Sequence, residues 1–282
     1  MLYLVLTSIT STVLYNGLVN YESKKKLKNS SAVLSFNFFI YMVCIIVLGM
    51  MVFTQTISLY TIASGLIFGV VTFLANAFKM LALTQGPMHL TVLFTTSSMI
   101  IPTLSGLFWG EKFSVTKFIM VIVLLFFLRL SFQKSNEAQI SGKWFAFCLL
   151  AFLFQGALGV LQKIHQASQY RSESAGFLFV AFVCAAVFCL ARSKCKFDPA
   201  VLKKSTILIG LLCGVCTFGM NYINLKLAGL LPSQLFFPII NGSTIILSSI
   251  MSIVLFKERL SKVQAVGLTG GIISLILIKI VN

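Results

Sequence analysis

Thr72, Asn76 and Lys79 stand at i, i+4 and i+7, and Thr217, Asn221 and Asn224 repeat that spacing in the second half of the chain. In a helix each triplet shares one face. Hydroxyl, amide and ammonium groups along such a stripe can exchange hydrogen bonds and carry one positive charge. That is equipment for holding a polar solute rather than for breaking its bonds. Both triplets lie inside long apolar runs, where a polar stripe turned towards lipid is costly, so each is expected to face protein or a watery cavity. Two readings stand. In one, Thr72, Asn76, Lys79, Thr217, Asn221, Asn224 and Asn241 line a substrate cavity. In the other, Thr and Asn bond neighbouring helices and Lys79 snorkels towards a helix end. Lys226, at the end of its run, reads as an interfacial anchor.

The triplets belong to a longer duplication. Gly65-Leu-Ile-Phe-Gly-Val-Val-Thr-Phe-Leu-Ala-Asn76 returns 145 residues later as Gly210-Leu-Leu-Cys-Gly-Val-Cys-Thr-Phe-Gly-Met-Asn221, identical at seven of twelve positions. Shared hydrophobicity alone would not restore two glycines, a Thr and an Asn in register. Pro87 and Pro232 keep the same offset, and the Glu111/Ser114 turn returns as Glu258/Ser261 two residues further on. Internal repeats in a membrane protein point to a transporter. Gly65 with Gly69, and Gly210 with Gly214, are small residues four apart that allow close helix approach.

Composition sets the class: 58% apolar residues, 10% charged and a mean hydropathy of +0.99 exclude an ordinary soluble surface. The net charge of +16 sits in short connections between apolar runs. It therefore reads as encoding membrane topology, with no nucleic-acid partner. The seven cysteines fall mostly in apolar segments, so Cys213 and Cys216 read as small hydrophobes despite their redox spacing. The first apolar stretch begins at Met1 without a basic leader and reads as a spanning helix.

Apolar runs near 2–20, 32–53, 59–83, 87–108 and 115–132 are followed by a polar stretch and then by runs near 144–163, 174–191, 206–228, 233–255 and 262–281. Each approaches the roughly 20 residues a spanning helix needs. The expected fold is an all-α, multi-pass cell-membrane protein of ten transmembrane helices in two inverted five-helix repeats. Residues 1–132 form the first repeat, 133–143 the linker and 144–282 the second. An odd number of spans per copy is what inverts the second copy. Ser261 with Gln264 fits a capping box, and Pro102 and Asn241-Gly242 are sites where helices four and nine would kink or break. Trp109, Trp144 and the tyrosines suit interfacial belts. His89 and His165 read as surface or hydrogen-bonded groups, and Asn29-Ser-Ser31 fits a glycosylation sequon.

No phosphate loop, zinc spacing or nucleophile motif is present, so catalysis, metal and cofactor are not expected. The acidic residues Glu22, Glu111, Glu137, Glu173, Asp198 and Glu258 all fall away from mid-run positions. The lack of an embedded carboxylate argues against exchange of protons for a cationic drug and favours a zwitterionic, neutral or anionic metabolite.

These features resemble the drug/metabolite transporters of the EamA-like group. The resemblance rests on ten spans in two halves, Asn16-Gly17 and Gln155-Gly156 in the first helix of each half, the Glu-x-x-Ser turns, and the stretch from Phe236-Phe-Pro-Ile-Ile-Asn241 to Lys257-Glu-Arg-Leu-Ser261. It implies a secondary, non-ATP-driven transporter moving a small polar metabolite by alternating access through a central cavity, as a monomer or homodimer. A drug exporter and a non-transporting receptor or scaffold are the alternatives. Asn37 stands where the family commonly has Arg, and the basic run Lys24 to Lys28 precedes the second helix instead of following it. The resemblance implies cytoplasmic termini, whereas the distribution of Lys and Arg implies the opposite.

Overall fold

The computed structural model describes residues 1–27, 29–53, 56–85, 88–110, 114–131, 141–194, 196–256 and 262–280. Pro87, Glu111, most of the 133–143 linker, Glu258 and Ser261 lie outside the described residues, as do the side chains of His89, Trp109 and Gln264. Among the described residues the chain is all α. Its helices are α1 (Leu2–Lys25), α2 (Ser30–Val52), α3 (Leu59–Gln85), α4 (Met88–Ser97), α5 (Ile100–Ser105), α6 (Val115–Ser131), α7 (Gly142–Ala167), α8 (Ser174–Arg192), α9 (Lys204–Leu230), α10 (Ser233–Phe256) and α11 (Lys262–Ile280). By length and composition α1, α2, α3, α7, α8 and α9 can each cross a bilayer, and α6 and α11 carry shorter apolar stretches, Phe118–Phe127 and Ala265–Ile278. This is a multi-pass membrane protein.

α4 and α5 are one unit broken at Ser98–Met99, for a local reason. Pro102 has no N–H to give the Ser98 carbonyl. Ile101 N–H takes that carbonyl instead, at 3.0 Å, tightening the turn. Of the break and the kink offered at Asn241-Gly242, the break does not occur. α10 runs unbroken through it with Pro238 inside, and Asn241 Nδ2 donates to the Phe237 carbonyl at 3.0 Å.

Hydrogen bonds between connections sort the helix ends into two faces. At one face, Asn29, which caps α2 by accepting from Ala32 N–H, donates to Asp198, and Lys26 donates to Ser205. The sequon asparagine is thus engaged in a cap. At the other face, Glu173 accepts from the Ser58 N–H and hydroxyl at 2.9 and 2.8 Å, just before α3. There too Lys163 donates to the Leu231 carbonyl after α9, and Gln234 bonds both backbone groups of Ser114. α3 therefore starts at the face where α9 ends, and the two run antiparallel.

Packing between the halves is reciprocal. α3 lies on α7 and α8 while α9 lies on α1 and α2; α2 meets α8, α6 meets α11, and α10 touches α1 as α4 and α5 touch α7. Three of the four duplicated glycines, Gly65, Gly69 and Gly214, make these contacts possible. A Cβ on Gly65 would sit 2.9 Å from the Phe177 carbonyl oxygen of α8, and one on Gly214 would sit 2.5 Å from Val43 Cβ of α2. Real Cβ atoms do not approach that closely, so only Gly permits these helix spacings. The main apolar core, with Phe36, Tyr41, Phe68, Phe177 and Phe182, fills the junction of α2, α3, α8 and α9. A second core with Leu124, Phe236 and Ile278 joins α1, α6, α9, α10 and α11.

Several aromatic residues expected at the interface are inside. Trp144 is buried and its Nε1 donates to Thr91 Oγ1 at 2.9 Å, while Tyr15 and Tyr41 belong to the core. An amphipathic ring is equally served by headgroups or by one internal partner, so residue type alone does not separate the two.

Candidate functional site

A cavity of about 180 Å³ opens between the halves. α3 supplies Thr72, Asn76 and Lys79, α9 supplies Thr217, Asn221 and Asn224, and α10 supplies Asn241; all seven lie on its wall. Because α3 and α9 run antiparallel, the two triplets progress in opposite directions. Lys79 stands nearest the face of the α1–α2 connection and Asn224 nearest the other. α1 spans the distance: Ser8 Oγ donates to Asn224 Oδ1, and Lys79 Nζ donates to Asn16 Oδ1 at 3.3 Å. Eight residues of helix separate Ser8 and Asn16, about 12 Å of rise.

The polar groups fall into two states. Asn76 Nδ2 donates to Tyr41 OH at 2.9 Å, and Asn221 Nδ2 to the Thr217 carbonyl at 2.9 Å, so both are positioned by the protein. The Thr72 and Thr217 hydroxyls, at matching positions of the duplication, are buried and make no hydrogen bond among the described residues. A helical Thr ordinarily bonds back to the carbonyl four residues earlier. These two do not, and both sit on the cavity wall. Among the described lining residues Lys79 is the one charged side chain, with the Tyr15 ring 5.9 Å from Nζ. Phe182, Phe236, Phe237 and Met99 supply apolar wall.

Several lining residues were not singled out as site residues by the sequence reading: Thr12, Tyr15, Asn16, Thr95, Thr96, Ser98, Gln155 and Gln162. A signal existed for two of them, since Asn16-Gly17 and Gln155-Gly156 are matched polar-glycine pairs. Gly156 and Gly159 let the bend of α5 approach α7; a Cβ on Gly159 would lie 2.7 Å from Pro102 Cγ. Lys226 stands away from the cavity wall, with Nζ 5.6 Å from the Tyr222 ring centre.

Two titratable groups are buried away from the cavity; of the two readings offered for His165, surface or hydrogen-bonded, the second holds at Nδ1, 3.5 Å from Gln166 Nε2. His165 is fully buried, its ring centre 4.3 Å from that of Phe177, and its Nε2 has no partner among the described residues. Glu22 is 1% exposed because α1 continues past the apolar run, and its Oε2 is likewise without a partner. Cys213 is a buried free thiol and Cys216 a half-buried one. No cluster of three or more His, Cys, Asp or Glu suited to a metal occurs among the described residues.

With the paired polar faces and the reciprocal packing described, comparison with known proteins is decisive for the second half. Residues 142–280 match the EamA-like transporter family. This half is an EamA-like domain. Over those residues the chain is similar to the transporters of that family. The EamA-like domain spans α7 to α11, so it contributes the Thr217, Asn221, Asn224 and Asn241 wall. A crystal structure of another protein superposes at a TM-score of 0.73, covering 98% of this chain and 96% of that one at 12% identity. At that identity the likeness is one of fold, and it extends over both halves. No curated protein matches the sequence.

Proposed function

We propose that this chain is a secondary transporter that moves a small polar metabolite by alternating access. Residues 1–132 and 144–282 act as two inverted five-span repeats joined by 133–143. The observation that carries the reading is the cavity between the halves, lined by matched polar stripes from both copies of the duplicated segment. Antiparallel α3 and α9 and reciprocal helix contacts support the inversion. A cavity walled by both halves is exposed to one face or the other when the halves rock against each other, which moves a bound solute without ATP. Its size, below the roughly 300–1,000 Å³ of drug-sized pockets, favours a metabolite over a bulky drug.

The test is aqueous accessibility coupled to transport. Single cysteines at Asn76, Lys79, Asn221 and Asn224 are expected to react with a small hydrophilic thiol reagent, while cysteines at Leu74 and Ile223 stay unreactive. The purified protein in liposomes is expected to show saturable uptake from a pool of small metabolites. Lack of labelling at all four polar positions would remove the cavity from the mechanism. Labelling without transport of any pool component would favour a receptor.

A further inference from the structure

We infer that the cargo is a small organic monoanion whose carboxylate docks on Lys79, an assignment that rests on the substrate-cavity reading above. The two stripes match at Thr72 and Thr217 and at Asn76 and Asn221, then part at the third position, where one carries Lys79 and the other Asn224. The cavity thus has one charged pole and one amide pole, about 12 Å apart along α1. Asn224 is engaged by Ser8. Lys79 has three donors, and the structure shows them one weak protein acceptor, Asn16 Oδ1 at 3.3 Å. No Asp or Glu stands among the described lining residues to balance its charge.

Lys79 is half-buried, so its ammonium is partly withdrawn from water with no described counter-charge on the wall, and the partner that offsets that cost best is an anion in direct contact. A cargo carboxylate supplies it. A cationic or amine-bearing cargo finds no acidic group on this wall and is repelled by Lys79. One flexible ammonium, with no described arginine fork beside it, suits a singly charged carboxylate better than a phosphate dianion, which calls for several converging donors. The rest of the molecule meets neutral chemistry. The unpartnered Thr72 and Thr217 hydroxyls and the Asn221 and Asn241 amides serve hydroxyl or carbonyl groups, and Phe236 and Phe237 take the carbon skeleton.

The test reads the charge of the cavity without knowing the cargo. Asn76→Cys and Asn221→Cys are made separately with Cys195 and Cys216 replaced by Ser, leaving the other native thiols in place; all of these except Cys195, which lies outside the described residues, are free thiols, and the retained five are buried. Each protein is treated with an anionic, sulfonate-bearing and a cationic, trimethylammonium-bearing methanethiosulfonate. The anionic reagent is expected to react at least tenfold faster at position 76. Lys79→Gln is expected to abolish that preference, Lys79→Arg to retain it and Lys79→Glu to reverse it. Equal rates, or a cationic preference with Lys79 intact, would overturn the anion assignment while leaving the cavity standing. No reaction of either reagent at either position would overturn the cavity reading itself. Protection is then measured with a panel of small monocarboxylates, their neutral amides and inorganic phosphate. Slowing of labelling at least tenfold by a carboxylate and not by its amide is the expected result. Protection by phosphate or amides alone, or by nothing in the panel, overturns the carboxylate.

Discussion

Gly210 and Gly214 sit one turn apart on α9 and both face α2, yet alanine at the two positions is expected to act in opposite directions. A Cβ at Gly214 would lie 2.5 Å from Val43 Cβ, 2.9 Å from its Cγ2 and 3.0 Å from the Ile40 carbonyl oxygen. Ordinary contact needs about 3.5–4.0 Å. The obstructing atoms are a Cβ and a backbone oxygen, so rotating Val43 does not clear them and the helices must separate. Overpacking of this kind costs about 1–3 kcal/mol, and the better helix propensity of Ala returns at most about 1 kcal/mol of it. At Gly210 the nearest atom to a new Cβ is Phe36 Cε2 at 3.5 Å, an ordinary contact. There the propensity gain remains, and stability is expected to hold or rise by up to about 1 kcal/mol. The two substitutions should therefore differ by about 2 kcal/mol, some thirtyfold in the unfolding equilibrium. Equilibrium unfolding in mixed micelles, with increasing dodecyl sulfate, measures it. Placing Gly214→Ala in a Val43→Gly background should recover about 1 kcal/mol or more, because the pair is in contact and couples. Equal losses at Gly210 and Gly214, or no recovery in the Val43→Gly background, would refute the close-approach argument.

Gly65 and Gly69 both press on carbonyls of α8, so alanine at either is expected to destabilise in the same unfolding assay, whereas in the second copy only Gly214→Ala does. Glu173→Ala removes the acceptor that holds the Ser58 N–H and hydroxyl across the two halves; a loss of about 1–2 kcal/mol is expected, with Glu173→Gln losing less. Faster hydrogen exchange at the first amides of α3 would report it, and unchanged protection in the Ala variant would count against the contact. For orientation, Lys24, Lys25, Lys26, Lys28, Arg129, Lys134, Lys143, Arg192, Lys194, Lys196, Lys203, Lys204, Lys257, Arg259 and Lys262 belong, by sequence, to the connections expected on one side, against Lys112, Lys117, Lys163, Arg171 and Lys279 for the other. By that bias the richer side is expected in the cytoplasm and both termini outside. A reporter fused at Asn282, which lies outside the described residues, and fluorescent only in the cytoplasm is expected to stay dark; a bright one restores the orientation the family resemblance implies.

Spans, the duplication and the two polar stripes could be read from the residues because each is a property of one helix at a time. A run of apolar residues long enough to cross hydrocarbon, or three polar side chains at i, i+4 and i+7, has the same consequence in any surroundings. The end of α1 was harder to read, since a helix continues through polar residues once its backbone bonds are made, and Glu22 was carried inside with it. What stands opposite each stripe depended on packing. Asn16 beside Lys79, Tyr41 beneath Asn76 and the Pro102 bend against Gly159 join residues far apart in the chain, and no local period encodes such a pairing. The burial of Trp144 and His165 was beyond the sequence for a related reason. A side chain with an apolar body and one polar atom is satisfied at the headgroups or by a single internal partner, and only the neighbouring helices decide which of the two it finds.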